Sequence, residues 1–291
     1  METRYIILFL IGIKLMNLNK YLQEMEIEHL LIHPQNNARS VFYSIFLAFQ
    51  INNKFPNATI DMILDKKFRF LRKMIPFKIS SFKATKDYDL YISYLDEYKE
   101  VWKYRVIKAR AKIGVSKLFF NKVFNFTVTP NDNLSILTRE FLNLLKIGLN
   151  VTPYFIQNPF IPIIQNRKQL LISPYEERYI KNLVNNFNGE YDILYFKEES
   201  LEYLLTRVIY QYKKVVLLNS ISDHFFSFIR DDIEILFASF EQRSHLYSNK
   251  TIKKVIEYPC APCNINSVIC PFRDEKSKYK CLKDVSLFKT Y

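Results

Sequence analysis

Residues 29–49 read HLLIHPQNNARSVFYSIFLAF and begin the regular part of the chain. His29–His33 is a short apolar run, which predicts a buried β-strand. The polar residues Pro34–Arg39 then predict a loop, and Ser40 is a residue type that often caps a helix. Apolar residues recur at helical spacing over Val41–Asn53, so the stretch predicts a strand, a turn and a helix of an α/β sheet.

The same alternation of strands and helices continues through both halves of the chain. Further apolar runs predict strands at Ala58–Leu64, Asp89–Tyr94, Lys112–Val115, Gln169–Ile172, Tyr191–Phe196, Lys214–Asn219 and Ile233–Ala238. The stretches between them predict helices at Phe68–Met74, Tyr98–Ala109, Asn133–Leu145, Tyr175–Phe187, Leu201–Tyr212 and His224–Arg230. The run at Ile233–Ala238 is expected to be the last strand before a group of C-terminal cysteines. Such alternation predicts a mostly parallel sheet covered by helices.

A proline-rich stretch divides this series into two. Pro153, Pro159 and Pro162 interrupt residues 150–166, which predicts an interdomain linker. The predicted organisation is an apolar extension over residues 1–27, a Rossmann-like domain over 28–152, a linker over 153–167 and a second Rossmann-like domain over 168–291. The predicted fold class is therefore α/β, with mostly parallel sheets in two domains and a ligand cleft between them.

The composition limits the kinds of partner that the chain can bind. The formal net charge of +13 favours anionic partners such as nucleotide-sugar phosphates or an acidic membrane surface. Residues 101–122 hold seven Lys or Arg and no acid, but no nucleic-acid-binding motif accompanies them. We therefore interpret this run as a solvated basic face and predict no nucleic-acid partner. With only four glycines, no GxGxxG and no P-loop, the chain is predicted to hold no dinucleotide cofactor.

The N-terminus carries the apolar run YIILFLIGI over Tyr5–Ile13. Nine residues are too few to span a bilayer, and no small-residue cleavage site follows. Three interpretations stay open: an interfacial anchor, a buried extension, or a stretch upstream of a true start at Met16. We expect a cytoplasmic location, with peripheral contact at the inner face of the membrane as one use of this run.

The four cysteines of the chain lie close together near its C-terminus, at Cys260, Cys263, Cys270 and Cys281. A Cys-x2-Cys turn offers two thiolates to one centre, and two later cysteines can complete a tetrahedral set. The segment therefore predicts a structural metal site, and soft thiolates suit either zinc or iron. Two disulfides and four free thiols are the alternatives.

The cysteine segment resembles the C-terminal segment of glycosyltransferase family 9, the ADP-heptose:lipopolysaccharide heptosyltransferases. Here YPCAPC, CPF and CLKDVS follow one another over residues 258–286, as in the family's cysteine pattern. The order of HLLIHPQNNAR, FPNATIDMIL, YDLYISY and ARAKIGVSK is also similar to the family, as is LLNSISDHFFSF in the second half. The resemblance implies the GT-B fold. It also implies transfer of a sugar, such as heptose from ADP-heptose, to a lipopolysaccharide-type or other glycan acceptor.

The resemblance also points to candidate catalytic residues in the first turn. Where the family has an acidic residue that acts as base on the acceptor hydroxyl, this chain has Arg39, which cannot accept a proton. Arg39 would instead bind a phosphate or an acceptor carboxylate. His33, at the end of the first strand, is the candidate replacement base. A structural histidine is the alternative interpretation of His33.

The second-half turn LLNSISDHFFSF resembles the family's turn that meets the donor sugar nucleotide. Asn219, Ser220 and His224 are therefore the candidate donor-binding residues, although Asn219 and Ile221 stand where the family has Asp and Gly. A role in capping a helix is the alternative for His224. Two hypotheses follow: an inverting glycosyltransferase, and a catalytically degenerate GT-B protein that serves as a binding or scaffold subunit.

If the four cysteines share a metal, purified protein is expected to carry about one zinc or iron per chain. Cys263→Ser removes one thiolate and is expected to lower both the metal content, measured by elemental analysis, and the thermal stability. Ser267→Ala, in the same segment, is the control. Folded, metal-free protein with four titratable thiols would contradict the prediction.

Overall fold

The computed structural model describes residues 27–73, 79–81, 86–117, 120–131, 134–148, 169–173, 191–195, 201–206, 211–212, 214–218, 234–237, 252–256 and 288–290. The chain divides into two compact units, Met1–Asn150 and Val151–Tyr291. Among the described residues, no helix is both long and apolar enough to cross a membrane.

The first unit is built on a six-stranded sheet in which every neighbouring pair of strands is parallel. Its strands are β1 His29–His33, β2 Thr59–Met62, β3 Ile79–Ser81, β4 Tyr88–Ser93, β5 Ala109–Val115 and β6 Phe126–Val128. Their order across the sheet is β3-β2-β1-β4-β5-β6, the order of the dinucleotide-binding Rossmann fold. Leu30, Leu31 and Ile32 of β1 are fully buried, as expected for a central parallel strand covered on both faces.

Three helices are described in this unit: α1 Ala38–Lys54, α2 Tyr98–Lys103 and α3 Leu134–Leu144. Two 3-10 segments, Lys66–Lys73 and Phe120–Lys122, lie between strands. Helix α1 packs against β1 and α3, and most of its residues are buried. This burial explains why its sequence is apolar on nearly every side rather than along one stripe.

The start of α1 differs from the prediction. Asn37, rather than Ser40, is the N-cap: its side-chain oxygen accepts a hydrogen bond from the backbone N–H of Ser40 at 2.8 Å. The Ser40 hydroxyl turns back and accepts a hydrogen bond from the backbone N–H of Gln35 at 2.9 Å. Because Asn and Ser are both good N-caps, the sequence alone did not choose between them.

The second unit also contains a six-stranded sheet. Its strands are β7 Gln169–Ser173, β8 Tyr191–Tyr195, β9 Val215–Leu218, β10 Glu234–Phe237, β11 Ile252–Ile256 and β12 Phe288–Thr290. The order is β12-β11-β10-β9-β7-β8, and only the pair β11–β12 is antiparallel among the described pairs. The five parallel strands follow the doubly wound order of flavodoxin-like sheets. One short helix of this unit is described, α4 Leu201–Thr206.

Several predicted elements were wrong in extent or missed. The helix predicted over Tyr98–Ala109 ends at Lys103, and Ala109 already begins β5. β5 begins three residues before the strand predicted at Lys112–Val115, and its alternate residues Ala111, Ile113 and Val115 are buried, as a strand period requires. The basic run at residues 101–122 is therefore divided between α2, β5 and the segments that follow them.

The short edge strands β3 and β6 were missed because three residues carry too little periodicity to be recognised. The strand at Glu234–Phe237 is not the last before the cysteines, since β11 follows it at Ile252–Ile256. Tyr212 lies in an isolated bridge, so the helix predicted to reach it does not. The predicted linker, the helices at Tyr175–Phe187 and His224–Arg230, and the extension up to residue 26 lie outside the described residues.

Gly114 of β5 lies directly beneath the buried ring of Phe124. A Cβ atom added there would overlap this ring, whereas one added at Gly148 would meet nothing within 4 Å. Gly114→Ala is therefore expected to lower the free energy of unfolding by about 1–3 kcal/mol, because the packed ring must shift. Gly148→Ala is the matched control, with an expected change under about 0.5 kcal/mol. Chemical denaturation measures both, and equal effects would contradict the packing argument.

Candidate functional site

The strand order places a topological switch point between β1 and β4. From β1 the chain crosses to β2 and β3 on one side of the sheet, and then returns to β4 on the other. His33 and Ser93, the last residues of β1 and β4, are register partners. Since successive crossovers leave in opposite directions here, a crevice opens outside the carboxyl ends of these strands, where ligands of such sheets bind.

A cavity of about 650 Å³ occupies this position. This volume is in the usual range for a small-molecule site. Its walls come from the β1–α1 loop, the segment after β2, and the segment after β4 with helix α2. The lining residues are His33, Pro34, Gln35, Asn36, Asn37, Val41, Ile63, Leu64, Asp65, Phe68, Leu95, Asp96, Glu97, Glu100, Lys103 and Tyr104.

Gln35 ties the loop after β1 to the loop after β4. Its side-chain amide donates hydrogen bonds to the backbone oxygen of Tyr94 at 2.9 Å and to Oδ1 of Asp96 at 3.0 Å. Its side-chain oxygen in turn accepts a hydrogen bond from the amide of Asn37 at 3.1 Å. The rim of the cavity at the switch point is thus held in one arrangement by side chains that belong to both strands' loops.

Two cavity carboxylates are held by neighbouring donors. Oδ2 of Asp96 lies 3.3 Å from the ammonium group of Lys117, with both side chains partly exposed. On the opposite side of β1, the side-chain amide of Asn36 donates to Oδ2 of Asp65 at 3.3 Å, and the backbone N–H of Lys67 donates to Oδ1 at 3.1 Å. Both carboxylates are therefore positioned before a ligand arrives.

His33 lies at the floor of the cavity and is itself buried. Its Nδ1 is hydrogen-bonded to the Tyr91 hydroxyl at 3.1 Å, and the rings of His33 and Tyr104 pack in a T-shaped arrangement with 4.2 Å between centroids. Burial, and secondarily the charge of Lys103, lowers the pKa of His33 to about 3. Burial also raises the pKa of Tyr91 well above its ordinary value. The pair is consequently neutral across the physiological range.

The charge of the cavity is opposite to that of the chain. Among the described residues of its lining there are four carboxylates, at Asp65, Asp96, Glu97 and Glu100, and one ammonium group, at Lys103. In the part of the chain that the structure describes, no three His, Cys, Asp or Glu side chains are grouped closely enough to hold a metal ion. These four carboxylates therefore do not form such a group.

The predicted site residues differ in whether the structure describes them and in whether they line the cavity. His33 is in the cavity, as its place at the end of β1 suggested. Arg39 is half-buried in the first turn of α1 and is not among the described residues that line the cavity. The remaining candidates lie outside the described residues: Asn219, Ser220, His224, Cys260, Cys263, Cys270 and Cys281.

Sequence reasoning missed Asp96, Gln35 and Glu100. A signal for Asp96 was present, because Asp96 and Glu97 come soon after a predicted strand, at the end of the sheet where ligands bind. Gln35 carried the same signal, since it lies in the loop predicted directly after the first strand. Glu100 carried none, because its place in the cavity depends on helix α2, which follows β4.

The neutral state of His33 predicts a pH-dependent stability. In the unfolded chain the imidazole takes up a proton below pH of about 6.5, whereas in the folded chain it does so only near pH 3. The stability that this difference contributes is complete above about pH 6.5 and is lost as the pH falls towards 3. His33→Gln is expected to reduce the loss of unfolding free energy between pH 7 and pH 5 by about 1–2 kcal/mol.

Denaturant unfolding at the two pH values measures this effect. His29→Gln, at the other end of β1 and away from the cavity, is the control for removing an imidazole from the strand. A His33→Gln variant that loses as much stability as the wild type between pH 7 and pH 5 would show that His33 is not buried in its neutral form.

No protein-family model matches the sequence, and no curated protein matches it. Solved structures do match. The E. coli heptosyltransferase WaaC with ADP superposes with a TM-score of 0.57 at 10% identity, over 79% of this chain and 93% of that chain. The glycosyl transferase family 9 structure from Veillonella parvula DSM 2008 gives 0.58 at 11% identity, over 80% and 87%. E. coli ADP-heptose lps heptosyltransferase II gives 0.56 at 13% identity, over 80% and 92%.

These three matches extend over both units and nearly the whole length of each solved chain. With two Rossmann-like sheets in the described residues, they confirm the predicted α/β fold of the GT-B type. The likeness to family 9 that the sequence suggested is therefore also a likeness of three-dimensional structure to heptosyltransferases.

Proposed function

We propose that this chain is a divergent family 9 glycosyltransferase that moves a sugar from a nucleotide-sugar donor to the hydroxyl group of a glycan acceptor. The observation that carries the proposal is the coincidence of a heptosyltransferase fold with a cavity of about 650 Å³ at the switch point of the first sheet. Heptose from an ADP-linked donor, and an acceptor of lipopolysaccharide type, are its most specific form.

Support for the donor side comes from the second sheet. Strand order reverses between β7 and β9, and Leu218 is the last residue of β9. Asn219 and Ser220 follow it directly in the sequence, at the end of the strand where ligands of such sheets bind. E. coli WaaC has been solved with ADP and with ADP-2-deoxy-2-fluoro heptose. We assign the donor diphosphate of this chain to Asn219, Ser220 and His224.

The acceptor side requires a base, and His33 is poorly suited to that role. The pKa of its imidazole is about 3, roughly 4 units below neutral pH, so protonating it at pH 7 costs several kcal/mol. Asp96 is the better candidate, because it lies at the switch point and is held there by Gln35 and Lys117. A general base must first of all be correctly positioned.

In the proposed step, the acceptor oxygen bonds to the anomeric carbon of the donor as the bond from that carbon to the diphosphate breaks. The diphosphate leaves with the bonding electron pair, and the carboxylate of Asp96 takes the proton of the acceptor hydroxyl. His33 contributes a neutral imidazole that hydrogen-bonds to an acceptor hydroxyl. Arg39 is assigned no proton transfer, because guanidinium cannot accept a proton.

A second candidate function is a binding or scaffold subunit that has lost catalysis. One observation favours it: the turn that carries an acidic base in the family carries Arg39 here, and Arg39 is not among the described residues that line the cavity. A protein of this kind would bind nucleotide without turning it over. The two candidates are therefore separated by turnover rather than by binding.

The four cysteines and the apolar N-terminus complete the proposal. Cys260, Cys263, Cys270 and Cys281 would hold a structural zinc or iron, an assignment supported by the number and spacing of their thiolates. The run at Tyr5–Ile13 would bring the enzyme into contact with the inner face of the membrane, where a lipid-linked acceptor is presented.

Purified protein is expected to release ADP from ADP-heptose when supplied with heptose-deficient lipopolysaccharide or a panel of simple glycosides. Asp96→Asn is expected to lower the rate about 10²–10⁴-fold while leaving ADP affinity within about twofold, since the base acts only in the transfer step. Glu140→Gln, an exposed charge on α3, is the control and is expected to leave both unchanged. A coupled ADP-release assay and calorimetric ADP titration measure the two quantities.

ADP binding without any release of ADP would support the scaffold function instead. Full turnover in Asp96→Asn would show that the base lies elsewhere. Absence of both ADP binding and turnover would reject a nucleotide-sugar transferase altogether.

A further inference from the structure

The charge around the cavity limits the acceptor that the proposed function can use. Asp65 follows β2, whereas Asp96, Glu97 and Glu100 come from the segment after β4 and from α2, so the carboxylates line the cavity from two of its walls. The chain as a whole carries a net charge of +13. The negative charge is therefore a local property of this cavity, and it acts electrostatically on any ligand that enters.

The floor of the cavity adds no compensating positive charge. His33 lines the cavity and is buried, with its Nδ1 hydrogen-bonded to the Tyr91 hydroxyl. Because the imidazole is neutral, it offers a hydrogen bond to a ligand and not an ion pair. Among the described residues that line the cavity, Lys103 is the one cation, and its ammonium group lies 5.3 Å from the ring centroid of Tyr104. Lys117, outside this lining, pairs with Asp96 at 3.3 Å and leaves the other three carboxylates without that partner.

The carboxylates act as fixed hydrogen-bond acceptors. Asp96 and Asp65 are each oriented by a side-chain amide of the β1–α1 loop, Gln35 and Asn36 respectively. Ionised carboxylates accept hydrogen bonds but donate none, so they match the hydroxyl and ammonium donors of a sugar. A phosphate or carboxylate on the ligand would instead meet like charges at close range, which is unfavourable.

We propose that this cavity receives an acceptor sugar without phosphate or carboxylate groups, and that it prefers an amino sugar, whose ammonium group the carboxylates of the lining attract. This inference relies on the proposed function only in identifying the bound sugar as the acceptor. The preference itself is a property of binding and is measured without a donor.

The test compares glucosamine, glucose and glucose 6-phosphate as probes of the full chain at pH 6.5, with NMR titration giving each Kd. Glucosamine is expected to bind about tenfold more tightly than glucose at low salt, and glucose 6-phosphate more weakly than glucose. The difference is expected to shrink as the salt concentration rises, because screening weakens these charge interactions. Equal affinities, or tightest binding of glucose 6-phosphate, would overturn the inference.

Charge variants locate the effect. Glu100→Lys places a cation in the wall and is expected to reverse the order, so that glucose 6-phosphate binds more tightly than glucosamine. Glu140→Lys makes the same change on exposed α3 and is expected to keep the wild-type order. If Glu100→Lys does not fold, Glu97→Lys at an exposed position of the same wall replaces it. Identical behaviour of the wall variant and the Glu140→Lys control would reject the cavity as the site.

The outcome is independent of the transfer assay. If ADP is released in the presence of glycosides but sugar binding shows no charge preference, the proposed glycosyltransferase function is retained and this inference is rejected. If the charge preference reverses in the wall variant but no sugar is transferred to any acceptor, the ligand class of the cavity is established and the proposed transferase function is rejected.

Discussion

The first unit depends on the burial of β1 between two parallel neighbours. Leu30, Leu31 and Ile32 are fully buried, because β2 and β4 flank the strand and helix α1 packs against it. This central position makes β1 the point at which the chain changes direction across the sheet. The cavity exists because the loops after β1 and β4 leave this point towards opposite sides, and Gln35 then fixes the distance between them.

Burial of the same strand also sets the chemistry of the cavity floor. His33 is the last residue of β1 and is removed from water, so its pKa falls and its ring is neutral. A histidine exposed in the same loop would titrate near neutrality and could exchange protons with a substrate. Burial at this position also makes His33 a weak base, which is why the proposed mechanism assigns the proton transfer to Asp96, a partly exposed carboxylate.

The chain as a whole and the cavity carry opposite charge. Lys and Arg outnumber Asp and Glu along the chain, and residues 101–122 contain no acid at all. Yet acidic residues come together where β2, β4 and α2 end or begin. Asp65 and Asp96 are 31 positions apart in sequence, so no window of the sequence shows them as a group. Net charge therefore describes the encounter with a partner at long range, while the cavity is governed by a few carboxylates.

Sequence alone determined the two-part α/β organisation, the central strands and the long helices α1 and α3, because these elements have strong local periodicity. It also located His33 at the ligand-binding end of β1. The tertiary structure decided what the local sequence pattern could not. It selected Asn37 as the cap of α1 and set the early end of α2. It also formed the edge strands β3 and β6 and placed the Tyr91 hydroxyl against His33. Apart from the Asn37 cap, whose bond to Ser40 is local, these features depend on contacts between residues distant in sequence. Packing and hydrogen bonding across the sheet, rather than propensity, selected among conformations that the local sequence allowed equally.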